Sequence, residues 1–402
     1  MSLLPVDEAL TRILARVPPV RAELVPLAKA SGRVLAAPLV ADHNQPPFDA
    51  SAMDGYAVRA ADIVDEHRLE IVGVSQAGAG YDGTIGRGQC VRIFTGAPVP
   101  PGADAVIMQE EATVEGNLVR FSDRPKPGRS IRPIGNDFAA GQALLPAGTL
   151  MTPFGLALAA AANRAQLSVA ERPAVAVLAT GDELVEPGTP LSSGQIVASN
   201  SYGLVPLLSP YAREVTDHGI VPDDRAALAE RLDAIFAAEP DVLVTTGGAS
   251  VGDHDIVQEI LKSLGVEVDF WRINMRPGKP LMFGTHGRTL VFGLPGNPVS
   301  AMVTATVFIK PALRQWLGYA HPRGATLRLP LAAPTPPNSG RRHFMRAQLV
   351  VTEGTSAALP ILETDSGHTS SLAQADLLIV QPENDPGQVT GTIVEALPLD
   401  GF

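Results

Sequence analysis

The sequence predicts a multidomain chain of α/β plus β class. A central doubly wound parallel-sheet domain is expected beside an inserted β-rich domain, a small helical domain and a C-terminal β-barrel-like domain. Three observations predict this. The 402 residues suit about two to four domains. From Pro173 onward apolar runs alternate with helical segments, the pattern of a parallel sheet covered on both faces. Residues 43–138 and a final stretch after a proline-rich passage carry short apolar runs split by Gly, Pro and Asp, which read as strands and turns.

In chain order, residues 5–17 predict an amphipathic helix: Pro5 suits a first turn, and Val6, Ala9, Leu10, Ile13, Leu14 and Val17 share one face. Runs at 69–74, 90–94, 105–108 and 118–121 predict strands. Thr152-Pro153 is a cap and first-turn pair opening an Ala-rich helix. Beyond it, strands are expected at 174–179, 214–220, 241–245, 267–271, 281–283 and 289–292, with helices at 225–237, 254–264 and 298–317. The passage 329–338 reads as a linker, and 377–380 and 392–394 as strands beyond it. The expected domains are therefore 1–42 with 139–172 (helical, discontinuous), 43–138 (β-rich), 173–325 (α/β) and 326–402 (all-β).

Composition narrows the function. Hydrophobic residues make up 45% and charged residues 18%, which excludes a mainly disordered chain. A net charge of −11 argues against nucleic-acid binding through bulk positive charge, so an anionic ligand needs a local basic cluster. The single cysteine, Cys90, excludes an internal disulfide and a cysteine-based zinc site and suits a reducing cytoplasm. Asp7, Glu8 and Arg12 interrupt any apolar leader, and no run is long enough for a bilayer, so a cytoplasmic location without membrane association is expected.

Ligands of open α/β sheets bind beyond the carboxyl ends of the strands. Four polar, Gly-rich loops follow the predicted strands: Thr180-Gly181-Asp182-Glu183, the segment 247–255, Arg276-Pro277-Gly278-Lys279-Pro280, and Pro295-Gly296-Asn297-Pro298-Val299-Ser300. The Gly247-Gly248 pair lets backbone N–H groups approach an anion, although an ordinary strand–helix turn explains it equally well. Asp182 and Glu183, alone or with Asp255, offer hard oxygen donors to Mg²⁺; taken alone they also fit a solvated turn. Asn297-Pro298 is explained as a helix cap. Arg276 and Lys279 form either a surface charge pair or an oxyanion clamp. Together the loops suit metal-assisted chemistry at a phosphate or phosphoanhydride. No P-loop or H-E-x-x-H pattern is present, and His43, His218, His254 and His286 show no metal-ligand spacing.

Several segments carry a family resemblance. Ser51-Ala52-Met53-Asp54-Gly55-Tyr56-Ala57-Val58, Thr95-Gly96-Ala97-Pro98-Val99-Pro100, Thr180-Gly181-Asp182-Glu183-Leu184, the 247–255 loop, Pro277-Gly278-Lys279-Pro280, the 295–300 loop and Ser366-Gly367-His368-Thr369-Ser370-Ser371-Leu372-Ala373 resemble hallmarks of the MoeA-type molybdopterin molybdenumtransferases, to which the gephyrin E domain is similar. The motifs keep the family's order over nearly the whole chain. The resemblance implies an enzyme that takes adenylylated molybdopterin and molybdate, cleaves the pyrophosphate with Mg²⁺, releases AMP and leaves molybdenum on the dithiolene. It implies a homodimer whose active site is shared between subunits. The adenylyltransferase of the preceding step and molybdoenzyme apoproteins are the implied partners. By position, Asp255 and Glu183 would hold Mg²⁺ with Asp182 in support, and Thr180, Gly181, Gly247, Gly248, Ser250 and Gly252 would cradle phosphate. Lys279, Arg276, Pro295, Gly296, Asn297, Ser300, Ser366, Ser370 and an arginine of 340–346, Arg341 or Arg346, would serve molybdate or the pterin phosphate. Asp54, Thr95 and Asp137 would come from the inserted domain. Arg276 departs from the lysine of many members, placing a planar fork where they have a point charge. The rival readings are the preceding adenylyltransferase, which lacks the 51–58 segment and the C-terminal domain, and a non-catalytic gephyrin-like scaffold.

Overall fold

The computed structural model describes residues 3–64, 68–247, 256–352, 354–363 and 365–399. The chain forms two compact units: Met1–Glu23, Gly148–Leu150 and Val169–Phe402 in one, Leu24–Ala147 and Met151–Ser168 in the other.

The first unit is built on a six-stranded sheet in the order Glu214–Val221, Ala174–Thr180, Val242–Thr246, Thr289–Leu294, Pro280–His286 and Glu267–Arg272. Alternate residues of each strand face opposite layers. Val175, Val177, Val242, Val244, Leu290 and Phe292 pack with the helices Val6–Arg16, Asn200–Leu208 and the 298–316 segment. Ala176, Leu178, Leu243 and Val291 pack with the helices Arg225–Ala237 and Ile256–Ser263. Both faces are thus covered, as the apolar runs require.

The sheet is not wholly parallel. Pro280–His286 runs antiparallel to both neighbours, because only Gly287 and Arg288 separate it from Thr289–Leu294, and so short a connection can only make a hairpin. The expected 298–317 helix runs as Pro298–Thr304, a π-helical turn Ala305–Ile309, and Lys310–Trp316. The expected small helical domain is divided. The stripe Val6, Ala9, Leu10 and Ile13 buries in the α/β core, while the helix Pro153–Ala161, capped by Thr152 Oγ1 accepting from Gly155 N at 3.2 Å, belongs to the other unit.

The C-terminal residues form a small barrel. Thr355–Pro360, Arg342–Thr352, Leu377–Gln381, Ile393–Pro398 and Leu327–Pro330 pair in that order, and the Leu331–Ala358 bridge returns to the first strand. Met275–Arg276 adds a parallel strand beside Arg342-His343, tying a loop of the α/β sheet to the barrel.

The second unit holds a six-stranded sheet in the order Ala105–Met108, Gly55–Val58, Gln89–Ile93, Leu69–Ser75, Leu118–Phe121 and Ala112–Glu115. Tyr56, Val58, Cys90 and Ile107 bury on one face, and Ala57, Val91, Ile93 and Val106 on the other. Burial pushes the Cys90 thiol up to about 12, so this cysteine is core rather than nucleophile.

Candidate active site

The strands of this sheet end at one edge, and the antiparallel Pro280–His286 begins there, so the 180–183, 276–280 and 295–300 loops meet beside Gly247. Two adjoining cavities open among them. One of about 550 Å³ is lined by Thr180, Gly181, Glu183, Asn200, Asp223 and Gly247. Another of about 330 Å³ is lined by Arg276, Ser300, Arg341, His343, Arg346 and Ser366. Lys279, Pro280, Pro295 and Asn297 line both and form the common wall.

The first cavity is acidic. Gly181 N donates to Val221 O at 3.2 Å, and Asp223 N donates to the Asp182 carboxylate at 3.0 Å, which brings a third carboxylate to the predicted pair. Burial, then the nearness of Asp182 and Glu183, holds the Asp223 carboxyl above the usual range. Gly247 has φ +92°, and a Cβ there would lie 2.1 Å from Thr180 O, so the strand end requires glycine. Asn200 Nδ2 donates to Gly296 O at 2.8 Å and steadies the facing loop. Asn200 and Asp223 were not singled out in the sequence. Among the described residues no three His, Cys, Asp or Glu side chains form a metal-holding group. Gly248, Ser250, Gly252 and Asp255 lie outside the described residues.

The second cavity is basic. Burial, then the nearby charge of Arg341, lowers the pKa of Arg276. Arg276 Nη2 lies 3.1 Å from His343 Nδ1, and burial followed by Arg276 brings that imidazole down to about 4. Gly278, at φ +97° and packed on Thr304, shapes the turn before Lys279. The two candidate arginines of 340–346 differ in task. Arg346 is buried, with Nη1 donating to Ser371 Oγ at 2.5 Å and Nη2 to Glu363 O, so it braces the loop that carries Ser366. Arg341 lines the cavity with no carboxylate partner among the described residues. Asn297 does not cap its helix; its Nδ2 donates to Ser366 Oγ at 2.9 Å across the cavity wall. Ser370 is exposed on Thr369–Ala373 and lines neither cavity.

In the second unit, Asp54 accepts from Thr95 N at 2.7 Å and from Thr95 Oγ1 at 2.8 Å. These bonds, with Arg92 nearby, hold the exposed Asp54 carboxyl below the usual range. Asp137 is exposed, and its backbone N–H donates to Gln45 O at 2.9 Å.

A covered α/β sheet with adjoining acidic and basic pockets at its carboxyl edge has the ligand groove of the open α/β proteins. Residues 4–163 match the MoeA N-terminal region (domain I and II), 176–315 the probable molybdopterin binding domain and 328–399 the MoeA C-terminal region (domain IV). A molybdopterin molybdenumtransferase of Haemophilus influenzae is 36% identical over 96% of each chain, and one of Nostoc is 42% identical over 74% of this chain and 70% of its own. The crystal structure of a molybdopterin biosynthesis MoeA protein from Pyrococcus horikoshii superposes with a TM-score of 0.85 at 29% identity, covering 98% of this chain and 99% of that one. The chain belongs to the MoeA family of molybdopterin molybdenumtransferases, enzymes of molybdenum cofactor biosynthesis.

Proposed function

We propose that this enzyme inserts molybdate into adenylylated molybdopterin, with Mg²⁺-dependent pyrophosphate cleavage and release of AMP. The observation that carries this reading is the common wall: Lys279 stands between a carboxylate pocket and a basic one. A pyrophosphate laid along that wall can meet a metal on one side and hand its pterin end to an oxyanion on the other.

The donor set fits Mg²⁺, which takes hard oxygen ligands and is usually bound through one or two carboxylates plus substrate phosphates. Glu183 and Asp255 would hold it, with Asp182 in support. When bound, Mg²⁺ supplies charge neutralisation and polarisation of the phosphoanhydride. Thr180, Gly181, Gly247, Gly248, Ser250 and Gly252 cradle the phosphates. Arg276, Lys279, Arg341, Ser300 and Ser366 receive molybdate and the pterin phosphate, with Pro295, Gly296 and Asn297 shaping the wall. Arg346 acts by holding the Ser366 loop. Ser370 keeps its place through the resemblance alone. The chain is proposed to work as a homodimer in the cytoplasm, each site completed by Asp54, Thr95 and Asp137 of the other subunit.

The test is AMP release from adenylylated molybdopterin with molybdate and Mg²⁺. Asp255→Asn should abolish it while the protein stays folded; near-normal release at low Mg²⁺ refutes the metal assignment. Mixing Asp54→Ala with Asp255→Ala chains, each inactive alone, should restore activity in heterodimers, because one site then has both residues intact. Confirmed heterodimers without activity refute the shared site.

A further inference from the structure

We infer that His343 is a positioning residue for Arg276, and that its neutral imidazole leaves the basic cavity with the unpaired positive charge that a doubly charged tetrahedral oxyanion needs. The inference rests on the proposed reading of that cavity as the molybdate pocket.

Sheet register builds the arrangement. Arg276 pairs with His343 in parallel, and His343 pairs with Gln381 in antiparallel, so the three residues form a row across adjacent strands. Gln381 Nε2 donates to Pro336 O at 2.7 Å and to Asp385 Oδ1 at 3.3 Å, which leaves Oε1 3.3 Å from His343 Nδ1. Arg276 Nη2 lies 3.1 Å from the same Nδ1. A guanidinium only donates, so the Nδ1 lone pair holds Arg276 and the ring proton sits on Nε2. The other tautomer donates from Nδ1 to Gln381 and lets Arg276 go.

The surroundings keep the charge uncompensated. Arg276 Nε is buried without a hydrogen-bond partner among the described residues. Among the described residues lining the cavity Glu363 is the one acid, and its carboxylate accepts from Asp365 N at 2.8 Å and lies 3.4 Å from His368. A carboxylate at position 343 would instead pair with Arg276 and cancel the charge at the place where the anion lands.

The test is calorimetric titration of the full-length protein with sodium molybdate. His343→Leu, which lacks an acceptor, should bind about tenfold more weakly, as expected for one lost charge-assisted contact. His343→Gln, whose amide oxygen can accept from Arg276, should stay near the wild type. His343→Glu should bind at least as weakly as the Leu variant. A purely structural role would treat Gln and Glu alike, and that comparison decides if the Leu variant fails to fold. Equal affinity of the Gln and Glu variants, with Arg276→Ala and Arg341→Ala both weakened, overturns the role of His343 and keeps the cavity. Absence of molybdate binding to the wild type, or unchanged binding in Arg276→Ala and Arg341→Ala, overturns the cavity reading and the inference with it.

Discussion

Acidification is expected to loosen the first unit through His343. The imidazole is 5% exposed, and burial, then Arg276, brings its pKa to about 4 from 6.5. The unfolded chain therefore binds a proton that the folded chain refuses, and stability falls as pH drops through the window between the two values. The sign is that of a depressed group: the contribution is complete above the unfolded value and lost on the way down to the folded one. At 1.36 kcal/mol per pH unit the gap amounts to about 3 kcal/mol, of which about 2 kcal/mol is gone by pH 5. Once the ring is protonated, Nδ1–H can donate to Gln381 Oε1, which offsets part of this, while Arg346 and Arg341 add to it. The assay is urea unfolding of the wild type and His343→Gln at a series of pH values. Every other titrating group, including Asp223 with its opposite shift, is common to both proteins. The difference between them should narrow or reverse by about 2 kcal/mol from pH 7.5 to pH 5. A difference that stays constant over that range refutes the buried neutral imidazole.

Lys279→Ala should weaken molybdate binding by about one to two decades, the loss of one charge-assisted contact, read by the same calorimetry; unchanged affinity removes Lys279 from the anion site. Gly247→Ala sets a Cβ against Thr180 O at φ +92° and should cost about 1–3 kcal/mol or more, seen as a lower unfolding midpoint; a neutral result refutes the required backbone conformation. Thr95→Val removes the hydroxyl bond to Asp54 but keeps the amide, so the Asp54 carboxyl should titrate at higher pH by NMR, and an unmoved titration refutes the contact.

Where the chemistry sits on a local pattern, the sequence was readable. Strand, glycine and helix follow one another around Gly247, and that order alone puts Gly247 at a sheet edge. The short apolar run at 105–108 likewise marks its strand, whereas the strand Gly55–Val58 was not read from the sequence. Asp223 and Asn200 were not readable, because each is a single polar residue whose neighbours in the cavity lie in other segments of the chain. Asn297 shows a different limit. Asn-Pro before a helix is accounted for by capping, and only the position of Ser366, brought in from the barrel, turns its side chain elsewhere. Arg341 and Arg346 look alike in the sequence. Strand pairing separates them: Arg346 lies in register with Leu378, and its head group donates to Ser371 of the helix Thr369–Ala373.

A chain of net charge −11 is proposed to bind three anions: molybdate, a pterin phosphate and an adenylyl group. The conflict resolves at the scale on which charge acts. Screening confines exposed charges to about 8 Å at physiological ionic strength, so the far surface contributes little inside a pocket about 330 Å³ in volume. What matters is the local set, and the fold sorts it: Asp182, Glu183 and Asp223 gather on one side of the wall, Arg276 and Arg341 on the other. Lys279 on the wall faces both. The sorting depends on Met275–Arg276 leaving the α/β sheet to pair with the barrel, since that pairing alone carries Arg276 to His343 and Arg341. The C-terminal barrel therefore belongs to the proposed anion site, and its loss should abolish oxyanion binding even where the α/β sheet stays folded.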